Sequence, residues 1–160
     1  MNASELESLF GTDDAMGVVF DPCANYGEGG SVFGDGTNAI TCTNYAWQVK
    51  RRLSTHAVQV VGFSNDDNPD CDAVREEWHM GGHDFAIVDH RFLVDTWVRL
   101  VECAREKIVY DLDQDGDIQE ACKTYGNPKN WVEIDRDKGF TKFTDTSGGC
   151  DNMIQKFNLR

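Results

Sequence analysis

The stretch "GGHDFAIVDHRFLVDTW", Gly81 to Trp97, constrains this chain more than any other segment. Two short apolar runs flank Asp89-His90, and both are too short and too rich in β-branched and aromatic residues for helices. They read as the two arms of a β-hairpin. A turn centred on Asp89, with Val88–His90 as a three-residue loop, sets His83 opposite Asp95, Phe85 opposite Leu93 and Ile87 opposite Arg91. Residues directly opposed in an antiparallel pair share a face, with Cβ atoms about 5 Å apart. The hairpin therefore brings an imidazole against a carboxylate within an apolar setting. The pairing depends on register, because a slip of one residue sends each side chain to the other face.

A carboxylate that accepts from one imidazole nitrogen fixes the tautomer and favours the imidazolium, leaving the other nitrogen to act on a third group. The candidate is Cys42. In "TCTNYAWQVKRRL", Cys42, Tyr45, Ala46, Val49 and Leu53 recur at the spacing of one helix face, with Thr41 or Thr43 as N-cap. Lys50, Arg51 and Gln48 take the opposite face. A cysteine at a helix start meets the positive end of the dipole, which stabilises a thiolate. The preceding "GDGTNAIT" is Gly-rich, so a substrate backbone can approach it and find N–H donors. Cys42, His83 and Asp95 together make an activated nucleophile in which the histidine moves the proton. Each has a plainer role open to it: Cys42 as core, His83 as a turn residue, Asp95 as a helix cap.

The rest of the chain is consistent with one 160-residue domain. A chain of this size buries about 70% of its unfolded surface and needs no covalent staple. Residues 1–33 are loop-rich, with a short strand at Gly17–Phe20 and the glycine-dense "NYGEGGSVFGDGTN" following. Residues 34–101 form the catalytic core. Here "HAVQVVGFS" is a strand, "CDAVREEWH" a short helix stopped by Gly81-Gly82, and Trp97, Leu100, Val101 and Ala104 the face of a further helix. Residues 102–160 hold the acidic loop "DLDQDGDIQE", a short helix, and closing strands "NWVEI" and "FTKFT" around "DRDKG".

The net charge of −13 opposes binding to nucleic acid or an anionic membrane. No apolar run is long enough to span a bilayer, and "MNASELESLFGTDDAMG" lacks the features of a signal peptide. The six cysteines are scattered without a CxxC, which argues against a zinc ribbon. Zinc held by His79, His83 and His90 with Cys71 is the weaker alternative, since "HMGGH" is not a rigid helical pair. Asp111, Asp113, Asp115 and Gly116 match early EF-hand positions, but Cys122 stands where the bidentate Glu belongs. This leaves a degenerate calcium loop or a solvated acidic turn.

The order helix-start Cys, strand-start His, next-strand Asp resembles the papain-like and transglutaminase-like cysteine hydrolases. "CTNYAWQVKRRL" is similar to their nucleophile helix, and "HDFAIVDHRFLVDTW" to their His-to-Asp hairpin. The compact spacing is most similar to the glutamine-deamidase domains of dermonecrotic-type bacterial toxins and effectors. The resemblance covers roughly Gly34 to Val101. The upstream oxyanion Gln of the papain-like proteases has no counterpart; Asn38 is the candidate in its place, and otherwise backbone N–H groups serve. The resemblance implies an α+β papain-like fold, with the nucleophile helix packed on an antiparallel β-sheet. It implies a cysteine-dependent amide hydrolase with catalytic Cys42, His83 and Asp95, no cofactor and no metal. A protein-glutamine deamidase is the first expectation and a cysteine peptidase on the same triad the second. The expected partner is a protein substrate, and the expected form a monomer, of the kind delivered into a target-cell cytosol. The alternative from another class is a non-enzymatic binding protein, calcium-stabilised, with Cys42 as core.

Overall fold

The computed structural model describes residues 1–12, 42–78, 81–100, 102–135 and 139–142. The expected strand at Gly17–Phe20, the Gly-rich loop, Thr41, Asn38 and His79 lie outside them. The described chain is a mixed α/β structure built on a six-stranded antiparallel sheet. In chain order its elements are α1 (Ala3–Phe10), α2 (Cys42–Arg52), β1 (Val58–Ser64), α3 (Asp72–Arg75), β2 (Gly82–Val88), β3 (Phe92–Val94), α4 (Trp97–Leu100), β4 (Val109–Asp111), α5 (Asp115–Tyr125), a 3-10 turn (Pro128–Asn130), β5 (Val132–Asp135) and β6 (Gly139–Lys142). The strands lie in the order β4-β3-β2-β1-β5-β6.

β1 and β2 run through the middle of this sheet and are buried along almost their whole lengths. Their sequences are correspondingly apolar on both faces rather than alternating. On one face, Val60 packs with Ala46 of α2 and Ile134 of β5. On the other, Phe85 meets Tyr125 of α5 and Trp131, with ring centroids 4.9 Å away in each case. α2 thus covers one side of the sheet and the end of α5 covers the other. The expected closing strands are present as β5 and β6, with Ile134 opposite Phe140.

The hairpin forms, but its register differs from the expected one. Ala86 pairs with Val94, Ile87 with Leu93 and Val88 with Phe92, so the residues between the paired ends are Asp89–Arg91 rather than Val88–His90. Asp89 and His90 have φ of 51° and 54°, and the Arg91 N–H donates to the Val88 carbonyl at 3.0 Å. Positive φ at both central residues is the type I′ pattern, whose twist suits a hairpin. Asp89 tolerates it because its carboxylate accepts from the Ala57 N–H at 3.2 Å and lies 2.9 Å from His56 Nδ1. Compared with the expected register, each partner has moved by two residues. A shift of two keeps every side chain on its own face, so His83 and Asp95 become diagonal instead of direct neighbours.

Four further expectations need correction. The N-terminal segment contains α1, started by a capping box in which Asn2 accepts from the Glu5 N–H and Glu5 reaches back to the Asn2 N–H. Its Leu6 and Phe10 are buried, and Glu7 Oε1 accepts from the N–H groups of Ile108 and Val109, tying the helix to edge strand β4. The acidic loop is instead the end of β4 followed by α5, which buries Ile118, Ala121 and Tyr125 on one face. Conversely, the helix after the hairpin is a single turn, and Cys103 beyond it takes a φ of 55°. Gln48, assigned to the outer face of α2, is buried.

His90 carries a left-handed backbone without a side chain that compensates it, whereas Asp89 is held by two hydrogen bonds. His90→Gly is therefore expected to be neutral or stabilising by up to about 1 kcal/mol. Asp89→Gly is expected to destabilise by about 1–2 kcal/mol, because the bonds to His56 and Ala57 are lost. Urea denaturation midpoints of the two variants measure this ordering; a reversed order would contradict the turn described here.

Candidate functional site

Cys42 is the first residue of α2, His83 the second of β2, and Asp95 follows the last residue of β3. The three sequence-predicted site residues come together. His83 Nε2 lies 2.6 Å from Asp95 Oδ2, with both side chains essentially inaccessible to solvent. The Cys42 side chain lies near enough to His83 to raise the imidazole's pKa. Since Nε2 serves Asp95, Nδ1 is the nitrogen available to the thiol. Cys42 itself is only partly buried and is a free thiol.

Asp95 performs both roles that the sequence left open. Its Oδ1 accepts from the Val98 N–H at 3.4 Å, capping the short turn α4, while its Oδ2 faces His83. Oδ2 also accepts from the Tyr125 hydroxyl at 3.0 Å. Tyr125 is the part of the site that sequence reading missed. It stands at the end of α5, and its ring stacks on the imidazole with 5.8 Å between centroids and 7° between planes. The available signal was the recurrence Ile118, Ala121, Tyr125, masked by the run of aspartates before it.

His83 is surrounded by aromatic rings. Besides Tyr125, Phe63, Trp78, Phe85 and Trp97 lie with ring centroids 5.5–6.3 Å from it. Trp78 is held in turn from outside: its Nε1 donates to Glu76 Oε2 at 3.0 Å, and the Arg105 guanidinium lies 5.1 Å over its ring. Arg105 bonds to Glu76 and Asp72, and its hydrogen bonds hold the Glu76 carboxyl below the usual range. Burial among these rings is the largest influence on His83 and by itself disfavours the imidazolium. The Asp95 carboxylate and the Cys42 side chain act the other way, and their sum raises the His83 pKa well above its ordinary value. The Tyr125 ring stacks on the imidazole and presents its π face to it, which further suits an imidazolium.

Thr43 and Asp84, the chain neighbours of Cys42 and His83, form a second link between α2 and β2. The Thr43 hydroxyl donates to Asp84 Oδ2. Thr43 is thus inside the helix and committed to β2, and it is not the N-cap. Burial is the main cause that raises the Asp84 carboxyl above its usual range; the Thr43 bond and His83 oppose it. Asp84 lines an apolar cavity of about 280 Å³ with Gly62, Phe63, Ser64, Asp67, Val132 and Ile134.

Among the described residues the metal alternatives do not assemble. His83 sits at the start of β2 and His90 in the turn at its far end, so they share no site. No group of three or more His, Cys, Asp or Glu residues suited to a metal occurs among the described residues. In the acidic segment, α5 begins at Asp115, inside what an EF-hand requires as loop. Asp111 is clamped by Arg91 Nε and Nη2 at 2.8 and 2.7 Å, and Asp117 pairs with Lys107 at 2.8 Å. These carboxylates neutralise side chains of the protein itself. No helix among the described residues is long and apolar enough to cross a membrane. No protein-family model, curated protein or solved structure matches this chain.

A histidine with a raised folded-state pKa adds stability that is complete below about pH 6.5, its unfolded value, and is lost as pH rises through the folded value. His83 is accordingly expected to be doubly protonated at pH 7, with two ring N–H groups visible by nitrogen-edited NMR. In Cys42→Ala one of the two raising influences is gone, so the His83 titration should move to lower pH. A singly protonated His83 at neutral pH in the unsubstituted protein would contradict this electrostatic balance.

Proposed function

We propose that this protein is a cysteine-dependent amide hydrolase of papain-like organisation, using Cys42, His83 and Asp95, and that it deamidates glutamine side chains of a protein substrate. The observation that carries the reading is one buried imidazole bonded to a carboxylate and set near a thiol. His83 shares Nε2 with a carboxylate, and the thiol whose influence it feels stands at the start of a helix. This is the relation between nucleophile, base and orienting group that thiol-based acyl transfer requires.

The reaction follows from these positions. In the resting pair His83 already holds the Cys42 proton as its second ring N–H, and the thiolate attacks the carboxamide carbon, forming a C–S bond as the C=O π bond opens to an oxyanion. A neighbouring imidazolium and a helix start both stabilise a thiolate. His83 returns the proton to the nitrogen as the C–N bond breaks, and ammonia leaves. Water then attacks the thioester with His83 taking its proton, the C–S bond breaks, and the glutamate carboxyl and the free thiol result. Asp95 holds the tautomer throughout and stabilises the charge on the imidazole. Tyr125 and the Val98 N–H fix the Asp95 carboxylate, so the imidazole is aimed by a support that is itself hydrogen-bonded.

The test is intact-mass analysis of candidate protein substrates after incubation with the protein. Each deamidated glutamine is expected to add about one mass unit, whereas a peptidase on the same chemistry yields fragments. Cys42→Ala should abolish the change while leaving the fold intact, since removing one sulfur from a half-buried site costs at most a few kcal/mol. Full turnover by Cys42→Ala would remove Cys42 from the mechanism.

A further inference from the structure

The apolar cavity beside Asp84 is not used by the triad, yet it adjoins it through both chain neighbours. Asp84 follows His83, and its Oδ2 is held by Thr43, which follows Cys42. The apolar walls of the cavity are Val132 and Ile134, with Gly62 beneath and Phe63 bordering it from β1. A Cβ at Gly62 would collide with Asp84 Oδ1, so the glycine is what allows this carboxylate to lie across β1. Two carboxylates, Asp84 and Asp67, line the cavity, and none of its lining residues is a cation. The walls suit a methylene stem, and the acidic end suits a donor with positive charge. The excess of acid over base in the chain adds a field of the same sign.

We propose that this cavity, with Asp84 at its end, is a subsite that receives a lysine or arginine side chain adjoining the amide under attack. The proposal rests on the hydrolase reading given above and adds the class of sequence it selects. The stem of the basic residue lies against Val132 and Ile134, and its head group donates to Asp84 Oδ1. The Thr43 bond to Oδ2 keeps the carboxylate turned toward the cavity and fixes the subsite relative to the helix that bears Cys42. Gly62 and Asp84 are then specificity-determining residues rather than catalytic ones.

The test uses peptide chloromethyl ketones that alkylate Cys42, carrying lysine, arginine, norleucine or glutamate at the position adjoining the electrophilic residue on either side. Labelling of Cys42 is followed by peptide mapping. Lysine and arginine probes are expected to react about tenfold faster or more than the norleucine probe, a factor typical of one hydrogen bond to a charged group. The glutamate probe should be the slowest. Asp84→Asn keeps the size of the side chain and should bring the lysine and norleucine rates together. Val132→Lys places an ammonium within the cavity and should do the same by occupying it. Equal rates for lysine and norleucine in the unsubstituted protein, a preference that survives both substitutions, or no labelling of Cys42 by any probe would overturn the subsite. Selectivity without turnover of any protein substrate would retain the subsite and remove the hydrolase. Turnover without selectivity would do the reverse.

Discussion

His83 Nε2 and Asp95 Oδ2 meet at 2.6 Å where neither side chain reaches water. A buried ion pair is expensive to assemble, and it survives only where the remaining polar atoms are also satisfied. Here the carboxylate accepts from Tyr125 and from the Val98 N–H as well as from His83. Removing one partner of such a pair typically costs 3–5 kcal/mol, because the other is left charged and dry. The surrounding structure follows from this constraint. α5 must run along the sheet to deliver Tyr125, α4 must start where Asp95 can cap it, and Trp78 must close the outside under its Arg105 cover.

The constraint also bears on the proposed nucleophile. An imidazole enclosed by aromatic rings exchanges protons with few groups, and Cys42 at the start of α2 is near enough to act on its charge. The link from Thr43 to Asp84 sets the position of that helix start against β2, one residue along from Cys42 and from His83. The nearness of Cys42 to His83 and the adjacent Thr43–Asp84 bond restrict both the approach and the rotation of α2. This is the kind of support that holds a reacting group within the narrow geometry acyl transfer needs.

The site was legible because its signals were local: a hairpin of two apolar arms and one helical stripe. The expected turn was misplaced by one residue, yet His83 and Asp95 still met, since the period of a strand is two and the resulting shift preserved the faces. Asp84 and Thr43 were not found, because a bond between residues 41 apart has no local signature. Tyr125 was missed for a different reason. Dense aspartates before it read as loop, although two of them, Asp111 and Asp117, are neutralised by Arg91 and Lys107, and their charge does not oppose folding there. α1 was legible in principle from its Asn-to-Glu capping box, but it is short and its burial of Leu6 and Phe10 is a tertiary matter.

The central claim is that Cys42, His83 and Asp95 act as one unit, and the rate of Cys42 alkylation by iodoacetamide at neutral pH tests it most directly. The rate is to be compared in the unsubstituted protein, His83→Ala, Asp95→Asn and the double variant, with the modified cysteine located by peptide mapping. His83→Ala should slow the reaction most. Asp95→Asn should slow it substantially, because an amide in that position cannot stabilise the imidazolium while also serving the Val98 N–H. The double variant should be little slower than His83→Ala alone, since residues acting through one proton are non-additive. A Cys42 rate unchanged by His83→Ala, or effects of the two substitutions that multiply independently, would contradict the account.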